Sequence, residues 1–246
     1  MIELLLIGIG TGNPDHLTGQ AIKAMNRADL LLIPQKGAGK ADLAELRRDI
    51  CARFVSDPGP KIVGFDLPER DATTADYGDR VRDWHDAIAA VWRDAIAAYL
   101  GDAGTVALLV WGDPSLYDST LRIAERLAVK VSVIPGLTSL QLLTAAHTIP
   151  LNTLAEPFLV TTGRKLREAG FPPDIETVVV MLDGDCSFQH LQDKGLTIYW
   201  GAFLGMEAEI TLSGPLESVG PEIVRRRGEA RAAHGWIMDI YLLRRG

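Results

Sequence analysis

Three loops rich in glycine and proline carry the residue types in this chain that are best suited to binding a ligand. They are Gly8–Pro14, Trp111–Tyr117 and Pro135–Ser139, and each follows an apolar run of strand length. Each is in turn followed by a helix-like pattern, and this alternation predicts a parallel α/β sheet. Because ligands bind such sheets at the carboxyl ends of the strands, the three loops are the candidate functional region.

The first loop has part of a dinucleotide-binding motif and lacks the rest. Asn13 stands where G-x-G-x-x-G requires its third glycine, and the second predicted strand ends in Ile33–Lys36 without the acidic residue that would hold a ribose. Gly37–Lys40 lacks the spacing of a P-loop and its following Ser or Thr. Gly10 and Gly12 are predicted to permit a tight turn with positive φ.

The second loop has the sharpest local pattern, Gly112–Asp113–Pro114. Gly112 allows the backbone to approach a ligand closely, and Pro114 stiffens the turn while removing one donor. Asp113 supplies negative charge, and Tyr117 offers an aromatic flank. Backbone groups, a little charge and an apolar slot are what a small-molecule site requires.

Composition narrows the function classes. The chain has 246 residues, is 47% hydrophobic and carries a net charge of −7, which disfavours a general nucleic-acid binder. Cys51 and Cys186 are isolated, so reduced thiols in a cytoplasmic protein are expected. We expect no signal peptide and no transmembrane segment, and no cluster of His, Cys and carboxylates has metal-ligand spacing.

The predicted elements form two α/β domains, residues 1–135 and 136–246. A first helix is predicted over about Asp15–Asn26, and a long one between Arg70 and Leu100 has an apolar face that indicates a core helix. Thr138 is the predicted N-cap of a helix over Ser139–Thr148. Strands are predicted at Ile2–Ile9, Leu30–Ile33, Lys61–Phe65, Thr105–Val110, Val131–Ile134, Pro157–Thr162, Thr177–Leu182, Thr197–Trp200, Ala208–Leu212 and Ile237–Leu243.

In their order and spacing, the three loops resemble the tetrapyrrole methylase family. Its patterns G-x-G-x-G-x-x-x-x-L-T, G-D-P and P-G-[IV]-[ST]-[SA] are all present, with Leu137 as a departure in the third. The resemblance covers nearly the whole chain. It implies two α/β domains with S-adenosylmethionine (SAM) in the cleft between them, S-adenosylhomocysteine as the product, and a tetrapyrrole substrate fringed with carboxylates.

The family's functional positions transfer to this chain by resemblance. The implied cofactor-binding residues are Trp111, Gly112, Asp113, Pro114, Ser115, Tyr117, Thr138, Ser139, Met181, Leu182, Ala202 and Phe203. The implied substrate-binding residues are Gly10, Thr11, Gly12, Asn13, Pro14, Arg164 and Lys165. Asp15, His16 and Asp113 are the candidate catalytic bases, and nothing in the sequence chooses among them. Whether Met181 or Leu182 packs on adenine also stays open.

A finer resemblance lies in the segment after Gln35 and in Tyr199–Ile210. Both are similar to family members that convert precorrin-5 to precorrin-6A in cobalamin biosynthesis, with methylation at ring carbon 1 and release of acetate. The alternatives are another precorrin or uroporphyrinogen methylation, a diphthine-type protein methyltransferase or an NAD(P)-dependent oxidoreductase. A homodimer is expected. Arg47–Arg48 and Arg225–Arg227 are predicted to be solvated charges on helices.

Overall fold

The computed structural model describes residues 1–35, 41–70, 73 and 76–246. These residues divide into two compact units, Met1–Leu137 and Thr138–Gly246. The interpretation of Gly37–Lys40 lies outside the described residues, and so does most of the predicted helical segment between Arg70 and Asp76.

The first unit is a parallel sheet with its helices on both faces. Its strands pair in the order β3-β2-β4-β1-β5. The elements in chain order are β1 (Ile2–Gly8), α1 (Gly19–Arg27), β2 (Leu30–Gln35), α2 (Ala41–Phe54), β3 (Lys61–Asp66), α3 (Tyr77–Leu100), β4 (Gly104–Val110), α4 (Thr120–Ala124) and β5 (Lys130–Ile134).

Alternation along the strands produces two cores in this unit. Successive side chains of a strand point to opposite faces of the sheet. Leu4 and Leu6 of β1 accordingly pack with α3 and α4, whereas Leu5 and Ile7 pack with α1 and α2. Because both faces are covered, β1 and β2 read as continuous apolar runs rather than as alternating ones.

The predicted first helix starts too early. Pro14–His16 forms a short 3-10 turn, and α1 begins only at Gly19. Two caps explain the division, since the Asn13 side chain accepts from the Asp15 amide at 2.9 Å and the Thr18 hydroxyl accepts from the Ala21 amide at 3.0 Å. Each short polar side chain satisfies an N–H group that would otherwise lack a partner.

The long predicted helix is α3, a core helix as expected. Asp76 caps its start by accepting from the Asp79 amide at 2.8 Å, and Gly101 ends it with φ +65°. Trp92 is buried and Trp84 packs against the same apolar cluster. The tryptophans therefore serve the interior of this unit.

The second unit is a mixed sheet of order β6-β7-β10-β8-β9. Only β6 and β7 are parallel, and the other pairs are antiparallel. The elements are α5 (Ser139–His147), β6 (Phe158–Thr162), α6 (Gly163–Ala169), β7 (Thr177–Met181), β8 (Leu196–Ala202), β9 (Ile210–Pro215), α7 (Leu216–His234) and β10 (Asp239–Arg245).

The core of the second unit forms around Trp200 and Tyr241, both fully buried. Thr138 caps α5 as predicted, because its hydroxyl accepts from the Leu140 amide at 3.2 Å while its own amide donates to Gln141 Oε1 at 3.0 Å. In the described residues, no helix has the length and apolar character to cross a membrane. The predicted α/β fold class is confirmed, with a parallel sheet in one unit and a mixed sheet in the other.

Candidate functional site

The three loops of the first unit meet at three glycines. The parallel strands β4, β1 and β5 bring their carboxyl ends to one edge of the sheet. A Cβ on Gly8 would lie 2.6 Å from the amide nitrogen of Gly136 and 2.8 Å from the carbonyl oxygen of Gly112. A Cβ on Gly136 would lie 2.3 Å from the same oxygen. Backbone therefore packs directly on backbone here, which only glycine permits.

A short antiparallel bridge joins the first two loops. Gly112 donates its amide to the carbonyl of Gly10 at 2.8 Å, and Gly10 donates to the carbonyl of Gly112 at 3.3 Å. Gly10 and Gly112 have φ of +75° and +66°, and Gly12 has φ +126°. The positive φ predicted for the first loop is thus present at Gly10 and Gly12. Among the described residues other than its chain neighbours, no atom lies within 4 Å of the point where a Cβ on Gly112 would stand, although Gly112 itself is buried.

Asp113 ties the second loop to the third. Its carboxylate accepts from the Ser115 amide at 2.8 Å, the Ser115 hydroxyl at 2.5 Å and the Gly136 amide at 2.9 Å. Burial by itself raises the pKa of Asp113, but these hydrogen bonds outweigh it and hold the pKa below its usual range. The carboxylate is therefore ionised at neutral pH and directed at the two loops. Its predicted role as a base stays a prediction, and the geometry indicates a positioning role.

The other two candidate bases differ in their surroundings. Asp15 is exposed and forms an ion pair with Arg53 at 2.5 Å. His16 is half-buried, and its Nδ1 atom is buried without a hydrogen-bond partner in the part of the chain that the structure describes. Of the three candidates, only His16 has a buried side-chain polar atom without a hydrogen-bond partner among the described residues.

Three predicted cofactor-binding residues have a left-handed backbone that side chains rarely adopt. Tyr117, Leu182 and Phe203 have φ of +50°, +53° and +51°. Such conformations cost about 1–3 kcal/mol each and cluster at functional sites. Leu182 is also 65% exposed, although it directly follows a buried strand. Leu182 thus presents more apolar surface than Met181, which is half-buried, and which of the two packs on a ligand stays a prediction.

The side chains of Ala202 and Phe203 are buried, and the implied contact of these residues with the cofactor stays a prediction. Ala202 is fully buried, and the ring of Phe203 packs in the core, 5.1 Å from that of Trp236 between centroids. The Phe203 amide donates to the Met238 carbonyl at 2.9 Å, and its carbonyl accepts from the Met206 amide at 2.9 Å. A hydrogen bond from a ligand to the Phe203 backbone would therefore use the second lone pair of its carbonyl oxygen.

No local sequence pattern indicates the buried hydrogen-bonded cluster beside Leu182. It is centred on Asp183, Ser187 and Tyr241 and is called the hub below. The Asp183 carboxylate accepts from the Ser187 amide at 2.6 Å, the Ser187 hydroxyl at 2.9 Å and the Tyr241 hydroxyl at 2.6 Å. Burial, and then the negative charge of Asp183, raise the pKa of Tyr241 far above its usual range, so the phenol stays a donor. A Cβ on Gly163 would lie 2.3 Å from the same carboxylate, which explains the glycine at that position.

Arg227 belongs to this hub, and the prediction that it is a solvated charge is wrong. Its side chain is only 11% exposed. It pairs with Asp239 at 2.8 Å and donates to the carbonyl oxygens of Asp183 and Gly184 at 3.0 and 3.1 Å. Arg225 is exposed and pairs with Glu222 and Glu229, as expected of a surface charge. The tertiary fold, rather than the Arg-Arg-Arg run, decides which arginine is buried.

The basic pair predicted to bind substrate lies at the start of α6. Arg164 and Lys165 are 69% and 64% exposed, and both face Glu168, at 3.9 and 3.4 Å. Pairs of this kind contribute little to stability and leave the cations accessible. Their role in substrate binding stays a prediction.

Arg47 of α2 was also predicted to be solvated, and that is wrong as well. Its Nε atom donates to the carbonyl of Leu109 at 2.9 Å, at the carboxyl end of β4. Burial lowers the pKa of its guanidinium to about 10. Its neighbour Arg48 is exposed, as predicted.

The remaining predicted residues have mixed surroundings. Gly112, Asp113, Pro114 and Thr11 are buried, and Ser115 is exposed. Gly10 is also buried and Tyr117 is exposed, whereas the other predicted residues of these loops are half-buried: Trp111, Gly12, Asn13, Pro14, Thr138 and Ser139. The structure thus brings together the three loops of the first unit and, in the second, places Leu182 beside a rigid polar hub.

The sequence profile described as Tetrapyrrole (Corrin/Porphyrin) Methylases matches residues 3–220. The chain belongs to this family, which confirms the resemblance. It is 52% identical, over 252 aligned residues, to the precorrin-6A synthase [deacetylating] of Sinorhizobium sp, covering 100% of this chain and 96% of that protein.

Two solved structures are similar to this chain over nearly its whole length. The chain is 40% identical to a cobalamin-synthesis-related protein (CobF) of Corynebacterium diphtheriae, with a TM-score of 0.85 over 99% of this chain and 98% of the other. The uroporphyrin-III C-methyl transferase of Thermus thermophilus, complexed with S-adenyl homocysteine, has the same fold. It has a TM-score of 0.57 and 18% identity, over 98% of this chain and 91% of that one.

Proposed function

We propose that this chain is a SAM-dependent C-methyltransferase of cobalamin biosynthesis. It converts precorrin-5 to precorrin-6A by methylating ring carbon 1 and releasing acetate. The observation that carries this function is the 52% identity to a deacetylating precorrin-6A synthase over the full length of both chains. The family membership supports the enzyme class by itself.

The residues of the first unit fit SAM. Gly112 is buried but has free room at its Cβ position among the described residues, and Tyr117, on the same loop, is 45% exposed. Backbone groups beside an apolar surface suit a nucleoside joined to an amino acid. Among the cofactor-binding residues that we propose, Gly112 and Tyr117 would flank the ligand, and Asp113 would hold their loop. SAM, when bound, supplies an electrophilic methyl carbon on a positively charged sulfur.

The second unit offers an apolar contact for the cofactor. Leu182 presents an exposed side chain on a left-handed backbone that the Asp183 hub holds in place. An adenine ring on this side chain would remove apolar surface from water, which is worth about 25 cal/mol per Å². We propose Leu182 for this role, with Thr138, Ser139, Met181, Ala202 and Phe203 as further contacts.

Positioning is the main contribution of this chain to catalysis. An in-line displacement gains most from reactants held at the correct distance and angle. The Gly8–Gly112–Gly136 contact and the Asp113 hydrogen bonds give the first unit a rigid edge for that purpose.

Deacetylation additionally needs a proton acceptor, and we propose His16. Water that attacks the acetyl carbonyl must lose a proton, and a neutral imidazole accepts one near neutral pH. The Nδ1 atom of His16 is buried and has no described partner, whereas Asp15 is paired with Arg53. The acetate then leaves with the oxygen of the water, and the electron pair of the broken bond stays on the ring carbon.

The proposed substrate contacts are the first loop and a set of cations. Gly10, Thr11, Gly12, Asn13 and Pro14 border the edge of the first unit, and Arg164 and Lys165 lie accessible on α6. Cations are needed because the substrate carries several carboxylates.

We also propose a homodimer in the cytoplasm. The edge strand β6 exposes Phe158 and Leu159, at 39% and 37%. Exposed apolar side chains on an edge strand are typical of a surface that a partner covers. Cys51 and Cys186 are unpaired, which suits a reducing compartment. Sedimentation of the wild type and of Phe158→Asp tests the dimer, since only the wild type should sediment as one.

The test of the proposed function has two steps. Calorimetric titration should show saturable binding of S-adenosylhomocysteine and none of NADH. An anaerobic reaction with precorrin-5 and SAM should then release acetate and S-adenosylhomocysteine in equal amounts. Binding of NADH alone would contradict the methyltransferase, and methylation without acetate would indicate a different step.

The role of His16 has its own test. In His16→Gln the release of acetate should fall by about 100-fold or more, as general-base catalysis implies. The affinity for S-adenosylhomocysteine should stay unchanged. A variant that releases acetate within a few-fold of the wild-type rate would rule out His16 as the base.

A further inference from the structure

None of the residue roles proposed above explains the environment of the Arg47 guanidinium. It lies on α2, which packs on the sheet through Ile50 and Cys51. Its Nε atom donates to the carbonyl of Leu109 at 2.9 Å, and its Nη1 atom donates to the carbonyl of Leu43, one turn earlier, at 2.9 Å. The guanidinium is therefore held in one position by two backbone groups.

The carbonyl of Leu109 is free to accept from a side chain because the pairing of β2 with β4 ends one residue before it. Consecutive carbonyls of a strand point to opposite sides, and that of Val110 accepts from the Ile9 amide, beyond the end of β1. The Leu109 carbonyl thus faces β2, whose pairing with β4 ends at Leu32 and Leu108. Arg47 occupies the gap where the two strands separate, at the carboxyl edge of the sheet.

A neutral donor would satisfy that carbonyl, so the charge requires a separate reason. A guanidinium has five N–H donors, and the bonds to Leu109 and Leu43 use two of them. Among the described side chains, no carboxylate lies within ion-pair distance of Arg47. Asp118 acts on it only from farther away, and its Oδ1 atom accepts from the Thr120 amide at 2.6 Å.

Such a cation is costly in the free protein. Burial lowers the pKa of Arg47 to about 10, which leaves the group charged at neutral pH but poorly solvated. A partly buried charge without an ion partner is destabilising, and an anion that supplies the partner recovers that free energy. The remaining guanidinium donors suit the two oxygens of a carboxylate.

The location agrees with ligand binding. Leu109 precedes the Gly112–Asp113–Pro114 loop by only a few residues, and β4 adjoins β1, from which the first glycine loop starts. The helices that follow these two strands lie on opposite faces of the sheet, α1 on one and α4 on the other. Open α/β sheets bind ligands at such a switch point, at the carboxyl ends of the strands, and Arg47 lies beside it, on the β2 side of β4.

We propose that the guanidinium of Arg47 binds a carboxylate of the polycarboxylate tetrapyrrole substrate, which rests on the function proposed above. SAM is the weaker candidate for this contact. Its single carboxylate is outweighed by its own ammonium and sulfonium, whereas the fringe of the tetrapyrrole carries net negative charge. Arg47 is then a substrate-binding residue that fixes one edge of the ring.

The experiment compares Arg47→Gln with Arg48→Gln, its exposed neighbour on the same helix. The probe is uroporphyrin III, a stable tetrapyrrole with eight carboxylates, titrated by absorbance in the presence of S-adenosylhomocysteine. Arg47→Gln should weaken its binding by about 10- to 100-fold, the usual cost of losing a charged hydrogen bond. Arg48→Gln should change it by less than about twofold, as a surface charge does. Binding of S-adenosylhomocysteine should be the same in both variants.

Two outcomes would overturn the role of Arg47 without touching the proposed function. One is an equal change in the affinity for uroporphyrin III in the two variants. The other is a loss of S-adenosylhomocysteine binding in Arg47→Gln together with the loss of uroporphyrin III binding. If Arg47→Gln does not fold, phenylglyoxal modification of the wild type replaces it. Uroporphyrin III should protect Arg47 from modification, and S-adenosylhomocysteine should not. An Arg47 that uroporphyrin III leaves unprotected overturns the inference. A wild type that binds neither S-adenosylhomocysteine nor uroporphyrin III overturns the proposed function itself.

Discussion

The first unit holds its strand-end loops by contact between glycine backbones and by the single carboxylate of Asp113, whereas the second holds the loop after β7 by a buried cluster of polar side chains around Asp183. Gly8, Gly112 and Gly136 pack so closely that a Cβ on Gly136 would lie 2.3 Å from a carbonyl oxygen. In the second unit, the loop after β7 is held by Asp183, which accepts from Ser187 and Tyr241.

This difference explains which functional residues were visible in the sequence. A glycine that allows two backbone segments to pack closely stands in a local sequence motif that can be recognised. A carboxylate that binds a phenol 58 residues away has no such pattern. Single substitutions should therefore destabilise the two units by different mechanisms, overpacking in the first and the loss of a hydrogen-bond partner in the second.

The largest effect is expected at the glycine contact. Gly136→Ala places a methyl group against the Gly112 backbone, and we expect a loss of about 3 kcal/mol in the free energy of unfolding, at the upper end for overpacking. Denaturation by urea measures it. Gly19→Ala is the control, because in the described part of the chain, apart from its neighbours in α1, no atom lies within 4 Å of its Cβ position. A Gly136→Ala as stable as this control would mean that the loops separate easily.

The hub of the second unit should be almost as sensitive. Asp183→Ala leaves the buried Tyr241 hydroxyl without its acceptor, and we expect a loss of about 2–3 kcal/mol. Tyr241→Phe, which removes the donor instead, should cost about 1 kcal/mol. Asp185→Ala is the matched control, since that exposed carboxylate only pairs with Arg167. Equal melting temperatures for Asp183→Ala and Asp185→Ala would show that the hub does not hold the loop.

Charge supports the first unit at a second place as well, away from the loops that the Asp113 carboxylate links. Glu3, near the start of β1, accepts from Arg27 and Ser132 and pairs with Lys130, and these interactions lower its pKa from 4.5 to about 2. A lowered pKa contributes stability above about pH 4.5 that is lost as the pH falls toward 2.

Glu3→Gln should therefore lower the free energy of unfolding by about 1 kcal/mol at pH 7, allowing for solvent screening. The difference from the wild type should shrink as the pH falls to 2. Urea denaturation across this range measures it, and S-adenosylhomocysteine binding at pH 7 should not change. A difference that does not depend on pH would assign the effect to packing.

The smallest change in stability, with the opposite sign, is expected at Leu182. Leu182→Gly relieves a left-handed backbone and removes an exposed side chain, so stability should rise by about 0.5–1 kcal/mol. Binding of S-adenosylhomocysteine should nevertheless weaken, because the apolar surface is lost. Leu182→Ala separates the two effects, since it keeps the strain but not the surface. Unchanged binding in both variants would remove Leu182 from the cofactor site.

The local sequence predicts a hydrogen bond correctly where its donor and its acceptor lie in the same short segment. The Thr138 cap was predicted because its acceptors and donors lie within one turn of helix. The start of α1 was misplaced because Asn13 and Thr18 both compete as caps within a few residues. Arg47 and Arg227 were assigned to solvent because their partners lie 62 and 12 residues away in the chain, so helix position alone did not reveal them.

The sequence by itself determined the α/β class, the three loops, the family and the enzyme class, since each rests on contiguous patterns of glycine, proline and apolar residues. Only the tertiary structure decided which polar groups are buried. It made Asp113 a link between two loops, left the Nδ1 atom of His16 without a partner among the described residues and buried much of the Arg47 side chain. The physical reason is that desolvation and hydrogen bonding depend on neighbours in space, whereas a local sequence pattern records only neighbours along the chain.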